Sequence, residues 1–147
     1  MMKFRAAVVA AAILAVGLAG CSSATKVAAP GPGEIANGTA KISVNGTDVG
    51  PVNGVACSFE QAFTTITTGD AKAGTTSVVN NIKGLAVNAV RIRNLGGVSG
   101  SYVEDLQGEA KLEQTGRTYT ITGRVAGYST EKPGPRTDEE FSIQVAC

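Results

Sequence analysis

The sequence predicts a mainly β protein, a small antiparallel β-sandwich or half-barrel that follows a signal peptide and a flexible tether. Three observations carry this. Apolar and polar residues alternate with period two through much of the chain after Ala40, as in strands with one dry and one wet face. Turn sequences punctuate the same region at Asn45-Gly46, Asn53-Gly54, Asn94-Leu95-Gly96-Gly97 and Thr115-Gly116. No long stretch keeps a helical period, and 19 glycines in 147 residues suit many turns.

The N-terminal segment sets the address. Lys3 and Arg5 precede a run that is apolar from Ala6 to Ala19 apart from Gly17. A charged start before a short apolar run is the layout of a secretory signal. A permanent membrane span needs roughly 20 apolar residues, more than this run provides. The run closes in Leu18-Ala19-Gly20-Cys21, which resembles the bacterial lipoprotein box. There a cysteine thiol accepts a diacylglyceryl thioether, and cleavage before it frees an amine for acylation. Residues 1–20 are therefore read as the leader, and Cys21 as the lipidated first residue of the mature chain. Each buried methylene adds about 0.8 kcal/mol, so two chains anchor stably. The expected location is the cell envelope: exported, lipid-anchored to the membrane and facing outward.

Residues 21–38 are read as the tether. Small residues, Pro30, Pro32 and glycines fill it without an apolar period. Ser22, Ser23, Thr25 and Thr39 offer hydroxyls for O-linked sugars, with a bare linker the equal alternative. Residues 39–147 are read as one β domain. Loss of Lys3 and Arg5 brings the 13 basic residues one below the 12 acidic ones. Nothing in that balance attracts nucleic acid.

Within the domain, Ala40, Ile42 and Val44 share one strand face, and Val55, Cys57 and Phe59 another. Phe59 to Thr68 mixes helical spacing with a threonine run and is assigned mostly to strand. Leu85 to Leu95 reads as a long strand with a bulge near Ala89, where the alternation slips. Tyr119, Ile121 and Val125 face inward, opposite Thr118, Thr120, Thr122 and Arg124. Lys132 to Arg136 is a loop, and Asp138-Glu139-Glu140 leads into a last strand with Phe141, Ile143, Val145 and Cys147 inward. The core must come from Val, Ile, Leu and Ala, because aromatics make up 5% and tryptophan is absent. With Cys21 assigned to lipid, Cys57 and Cys147 form an even pair in an exported chain, where disulfides persist. Both lie on inward faces, and they are expected to be bonded.

The chemistry-bearing residues exclude more than they support. The absence of histidine removes the commonest general base and metal ligand and every Ser-His-Asp arrangement. No enzyme, cofactor or metal site is read from the chain. Asp138-Glu139-Glu140 offers at most a weak calcium site, with ordinary solvated charge the favoured reading. Gly96 to Gly100 lacks the strand–turn–helix setting of a phosphate cradle. Arg91 and Arg93 share a strand face and form a small cationic patch suited to an anionic glycolipid, or simply two surface arginines. A carrier of an apolar or glycolipid ligand would need a cavity of several hundred Å3, and Leu85, Val87, Val90, Ile92 and Leu112 are the candidate lining.

The ending Leu-Ala-Gly-Cys-Ser-Ser of the leader, Lys41 to Gly46 (KISVNG), the VACS around Cys57, Gly116 to Gly127 (GRTYTITGRVAG) and the terminal FSIQVAC run nearly end to end. In these the chain resembles the mycobacterial nineteen-kilodalton lipoprotein antigen family, of the LpqH type. The family's cysteine pattern maps onto Cys21, Cys57 and Cys147. The resemblance implies a non-enzymatic envelope lipoprotein and surface antigen. Its acylated N-terminus would be sensed by a host pattern-recognition receptor, Toll-like receptor 2. Roles as an adhesin or in ligand transport are implied too. The tether has fewer threonines than the family usually shows, which argues against dense O-mannosylation.

Overall fold

Local turn chemistry builds the first hairpin. Asn45 and Gly46 adopt φ of 51° and 77°, the left-handed pair that a two-residue hairpin turn needs. They join β1 (Ala40–Val44) to the two-residue β2 (Thr47–Asp48). The remaining strands are β3 (Ala56–Glu60), β4 (Phe63–Gly69), β5 (Gly74–Asn80), β6 (Ala86–Leu95), β7 (Val98–Val103), β8 (Glu109–Thr115), β9 (Thr118–Ser129) and β10 (Thr137–Ala146). This is a computed structural model that describes residues 28–147. The segment read as a signal peptide, Cys21 and the first part of the expected tether lie outside the described residues.

All strands belong to one antiparallel sheet with the order β2-β1-β10-β9-β7-β6-β5-β4-β3, and β8 pairs with β9 beside this path. The sheet curls into a half-barrel, the second of the two predicted architectures. β9 is its spine. One edge pairs with β10 over ten register positions, Thr118 to Gly127. The other edge is shared: β7 takes Ala126 to Ser129, and β8 takes Thr118 to Arg124. Where these two partners meet, backbones crowd. A Cβ on Gly123 would strike the carbonyl of Glu109, and one on Gly127 that of Ser99. Glycine at these positions allows the close approach.

The bulge expected near Ala89 is present one residue away. Val78 faces Ala89 while Val79 faces Val87, so Asn88 is the extra residue of β6. The Phe59–Thr68 region is strand on both sides of a tight turn in which Gln61 has φ of 54°.

The concave side holds the core: Ile42, Ile66, Val79, Val90, Ile92, Val98, Ile121, Val125, Ile143 and Val145 are each at most 2% exposed. Each such side chain contributes roughly 1.5–3 kcal/mol by leaving water. The predicted inward faces of β1, β9 and β10 are the buried ones. Phe59 departs from its predicted face and is 65% exposed. Its strand is the last in the sheet, so no neighbour covers it on that side. Thr118 and Ala146 are buried although they alternate outward. The reason is that residues before β1 fold back over them. Ile35 N donates to Thr118 Oγ1 at 3.0 Å, and Gly38 N to the Ala146 carbonyl at 2.9 Å.

A disulfide joins Cys57 on β3 to Cys147 just after β10, with the Cα atoms 6.0 Å apart and the cysteines 90 positions apart in sequence. It links the far edge of the sheet to the opposite half and holds the curl. Replacing both cysteines by serine should lower stability by about 4–5 kcal/mol from loop-closure entropy. Chemical denaturation of the variant beside the wild type checks this; a loss under roughly 1 kcal/mol would mean the curl stands without the bond.

Candidate functional site

The five residues expected to line a ligand cavity are not gathered around one. Val87, Val90 and Ile92 are packed into the core at 4%, 1% and 1% exposure. Leu112 is half-buried against the same core, while Leu85 is 39% exposed at the mouth of the β5–β6 loop.

A wide groove of about 850 Å3 runs over the convex face of β5, β6, β7 and β9. Register explains it. Thr76, Arg91, Ser101 and Ala126 stand in one row across these four strands. Small side chains at Ser101 and Ala126, with Gly100 and Gly127 beside them, leave the floor low. Arg91, Arg93, Lys72 and Arg136 bring four cations to the lining, and Tyr128, 60% exposed, stands among them.

Two of the cations are held in place. Arg93 donates from Nη1 to Thr76 Oγ1 at 2.9 Å and from Nη2 to the Asp70 carbonyl at 3.0 Å. Arg136 donates from Nη2 to Gln107 Oε1 at 2.6 Å, and Gln107 Nε2 donates to Ser101 Oγ at 2.6 Å. Arg91 makes no hydrogen bond or ion pair among the described residues and is exposed. The Asp70 carboxyl is held below its ordinary value, first by the Ala73 and Lys72 amides and further by Arg93. Burial, with Glu104 and Asp105 nearby, pushes the Tyr102 phenol up; its side chain points into the core beneath the groove.

Strand parity alone places Arg91 and Arg93 together. It does not reach Lys72, Gln107, Tyr128 and Arg136, because they come from separate segments that only the curled sheet assembles. Chemically the groove can hold an anionic group with polar hydroxyls around it. It has no nucleophile–base pair.

The carboxylates of Asp138-Glu139-Glu140 split between faces, as adjacent strand residues must. No cluster able to hold a metal ion occurs among the described residues. Glu139 points inward and is only 5% exposed. Asn45 Nδ2 donates to its Oε2 at 2.6 Å, and Thr137 Oγ1 to its Oε1 at 2.5 Å. These two bonds, Thr137 first, hold its carboxyl below the ordinary value against the opposing effect of burial. Asn45 also accepts from Glu140 N at 3.0 Å through Oδ1. The β1–β2 turn is thereby clasped to the start of β10, a structural use of the acidic cluster.

Comparison with known proteins gives consistent matches. Residues 33–147 match the family described as the Mycobacterium 19 kDa lipoprotein antigen. A protein of Mycobacterium indicus pranii, provisionally named a lipoprotein, is 36% identical over 110 residues, covering 74% of this chain and 78% of its own. One of Mycobacterium avium subsp. hominissuis with the same name is 32% identical over 148 residues, covering 100% and 97%. The lipoprotein LpqH of Mycobacterium tuberculosis H37Rv is 30% identical over 159 residues, covering 96% and 95%.

The Glu139 carboxylate stabilises the fold at pH above its ordinary value of 4.5, and that contribution is lost as pH falls through the lowered folded value. Glu139→Gln places an amide donor against Asn45 or Thr137. It should cost roughly 1–3 kcal/mol at neutral pH and flatten the acid limb of the stability curve. Urea melts from pH 3 to 7 on both proteins would reveal it; parallel acid limbs would show that Glu139 does not couple to folding.

Proposed function

This chain belongs to the Mycobacterium 19 kDa lipoprotein antigen family, and from that premise we propose that it is a non-enzymatic envelope lipoprotein anchored by acyl chains on Cys21. The observation that carries the proposal is the agreement of two independent parts of the chain. The family match spans the whole β domain, and the leader ends in Leu18-Ala19-Gly20-Cys21. The anchor is lipid, exported and facing outward, and the domain is a displayed surface antigen. In this reading the acylated N-terminus is the part seen by Toll-like receptor 2, and the domain acts as an adhesin. The lack of histidine and of a nucleophile–base pair in the groove supports a binding rather than a catalytic role.

A second reading, a carrier for an anionic glycolipid, is favoured by one observation. Arg91 stands exposed in the groove beside Tyr128. The headgroup would lie in the groove, since the Val87, Val90 and Ile92 side chains are packed into the core.

Intact mass of the membrane-extracted protein tests the anchor. A mass starting at Cys21 and carrying two or three acyl chains is expected, with two alkylatable thiols appearing only after reduction. Cys21→Ala should leave the protein unacylated and silent toward Toll-like receptor 2; undiminished receptor activation would end that part of the proposal. For the carrier reading, native mass spectrometry of the extracted protein should show co-purifying lipid reduced about tenfold by Arg91→Ala, as loss of one charge-assisted contact implies. Equal occupancy in both proteins would remove it.

A further inference from the structure

Among the described residues, the large apolar side chains that stand exposed gather near one end of the domain, Tyr128 excepted. Phe59 and Phe63 flank the β3–β4 turn at 65% and 41% exposure, and Ile82 and Leu85 sit on the β5–β6 loop at 61% and 39%. The two turns are neighbours. Phe63 pairs with Asn80, and Asn81 N donates to the Ala62 carbonyl at 2.9 Å. Leu106, 77% exposed, tips the adjoining β7–β8 turn.

Polar side chains fasten these tips together. Asn80 Nδ2 donates to Asn88 Oδ1 at 2.7 Å, and Asn88 Nδ2 to Glu104 Oε2 at 2.8 Å. Ile82 N donates to Asn80 Oδ1 at 3.1 Å. The bulged Asn88 is thus the middle of a bridge between the β5–β6 loop and the β7–β8 turn. A set of large apolar tips held apart from the core by a hydrogen-bonded frame is a surface for contact, since collapse onto the core would bury the same side chains.

The chain enters the domain at this end. Ala28 and Pro30 border a cleft with Gly116, Arg117 and Thr118 of the β8–β9 hairpin. The next residues of that hairpin, Gln114 and Tyr119, border a cleft with Phe59 and Leu85. Residues 31–38, assigned from sequence to the tether, are hydrogen-bonded to the domain through Ile35 and Gly38. Cys21 lies seven residues before Ala28. Seven residues reach about 25 Å at full extension, less than the long dimension of a small domain.

We propose that this apolar end rests on the lipid surface, as a second contact beside the acyl anchor. The inference rests on the anchor reading given above. The partner is the bilayer interface, and its chemistry fits. The large apolar tips enter the boundary between headgroups and acyl chains. Lys83 and Arg117 meet lipid phosphates, while Glu60, Glu113 and the Glu104-Asp105 pair beside Leu106 keep the contact from depending on anionic lipid. The groove around Tyr128, built on another part of the sheet, then remains open to the outside.

The absence of tryptophan makes the test direct. Acylated Ile82→Trp, Phe59→Trp and Tyr128→Trp proteins are extracted from membranes, checked by mass and reconstituted in phosphatidylcholine vesicles with and without brominated acyl chains. Flotation with the vesicles reports the anchor; quenching of the introduced indole by bromine reports the contact. The expected result is flotation of all three. Brominated lipid should remove at least about half the fluorescence of the Ile82→Trp and Phe59→Trp proteins and leave that of the Tyr128→Trp protein unchanged. Flotation with all three unquenched would overturn the contact and leave the anchor standing. Equal quenching of all three would overturn this orientation. An unacylated protein that stays in the aqueous phase would overturn the anchor and this inference with it.

Discussion

The curl of a single sheet is the constraint on which the other features depend, and the Cys57–Cys147 bond fastens it. β3 is the last strand in the sheet order, and Cys147 follows β10 on the other side of the spine. An open sheet of this length would expose its concave side. Curled and bonded, it seals Ile66 and Val79 of one half against Ile121, Ile143 and Val145 of the other. The side chains are mostly β-branched, stiff at χ1 and suited to a pleated surface. The few aromatics of the core, Tyr102, Tyr119 and Phe141, fill the width that Val and Ile leave. The Tyr102 hydroxyl is satisfied by the Val87 carbonyl at 3.2 Å.

A curled sheet has a convex face and open ends, and both are occupied differently here. The convex face is polar and cationic, with glycine and alanine keeping the groove floor low. The end near the chain entry is apolar and framed by Asn80, Asn88 and Glu104. The two surfaces therefore differ in chemistry for the same topological reason. Outward positions of paired strands are regular and solvated, whereas turns project side chains that no neighbouring strand covers.

The acidic cluster before the last strand shows how one clasp serves the fold. Glu139 is buried in place of an apolar residue, which would be costly alone. Asn45 compensates with its amide and simultaneously closes its own hairpin. A turn residue suited to a left-handed backbone thus also supplies the hydrogen bond that docks β1 on β10.

Much of this is legible in the chain. Alternation and turn dipeptides determined the all-β class, the positions of most strands, the inward faces of β1, β9 and β10 and the bulge close to Ala89, because side-chain parity and turn backbone are local properties. The inward parity of Cys57 and Cys147 is likewise local. Only the tertiary structure decided what those faces meet. It chose the half-barrel over the sandwich, exposed Phe59 by placing β3 at an edge, and packed Val87, Val90 and Ile92 into the core instead of around a cavity. It also brought Lys72, Tyr128 and Arg136 to Arg91, and the apolar turns to the chain entry. These outcomes depend on strand order and curl, and order is a contest among long-range pairings that no local pattern records.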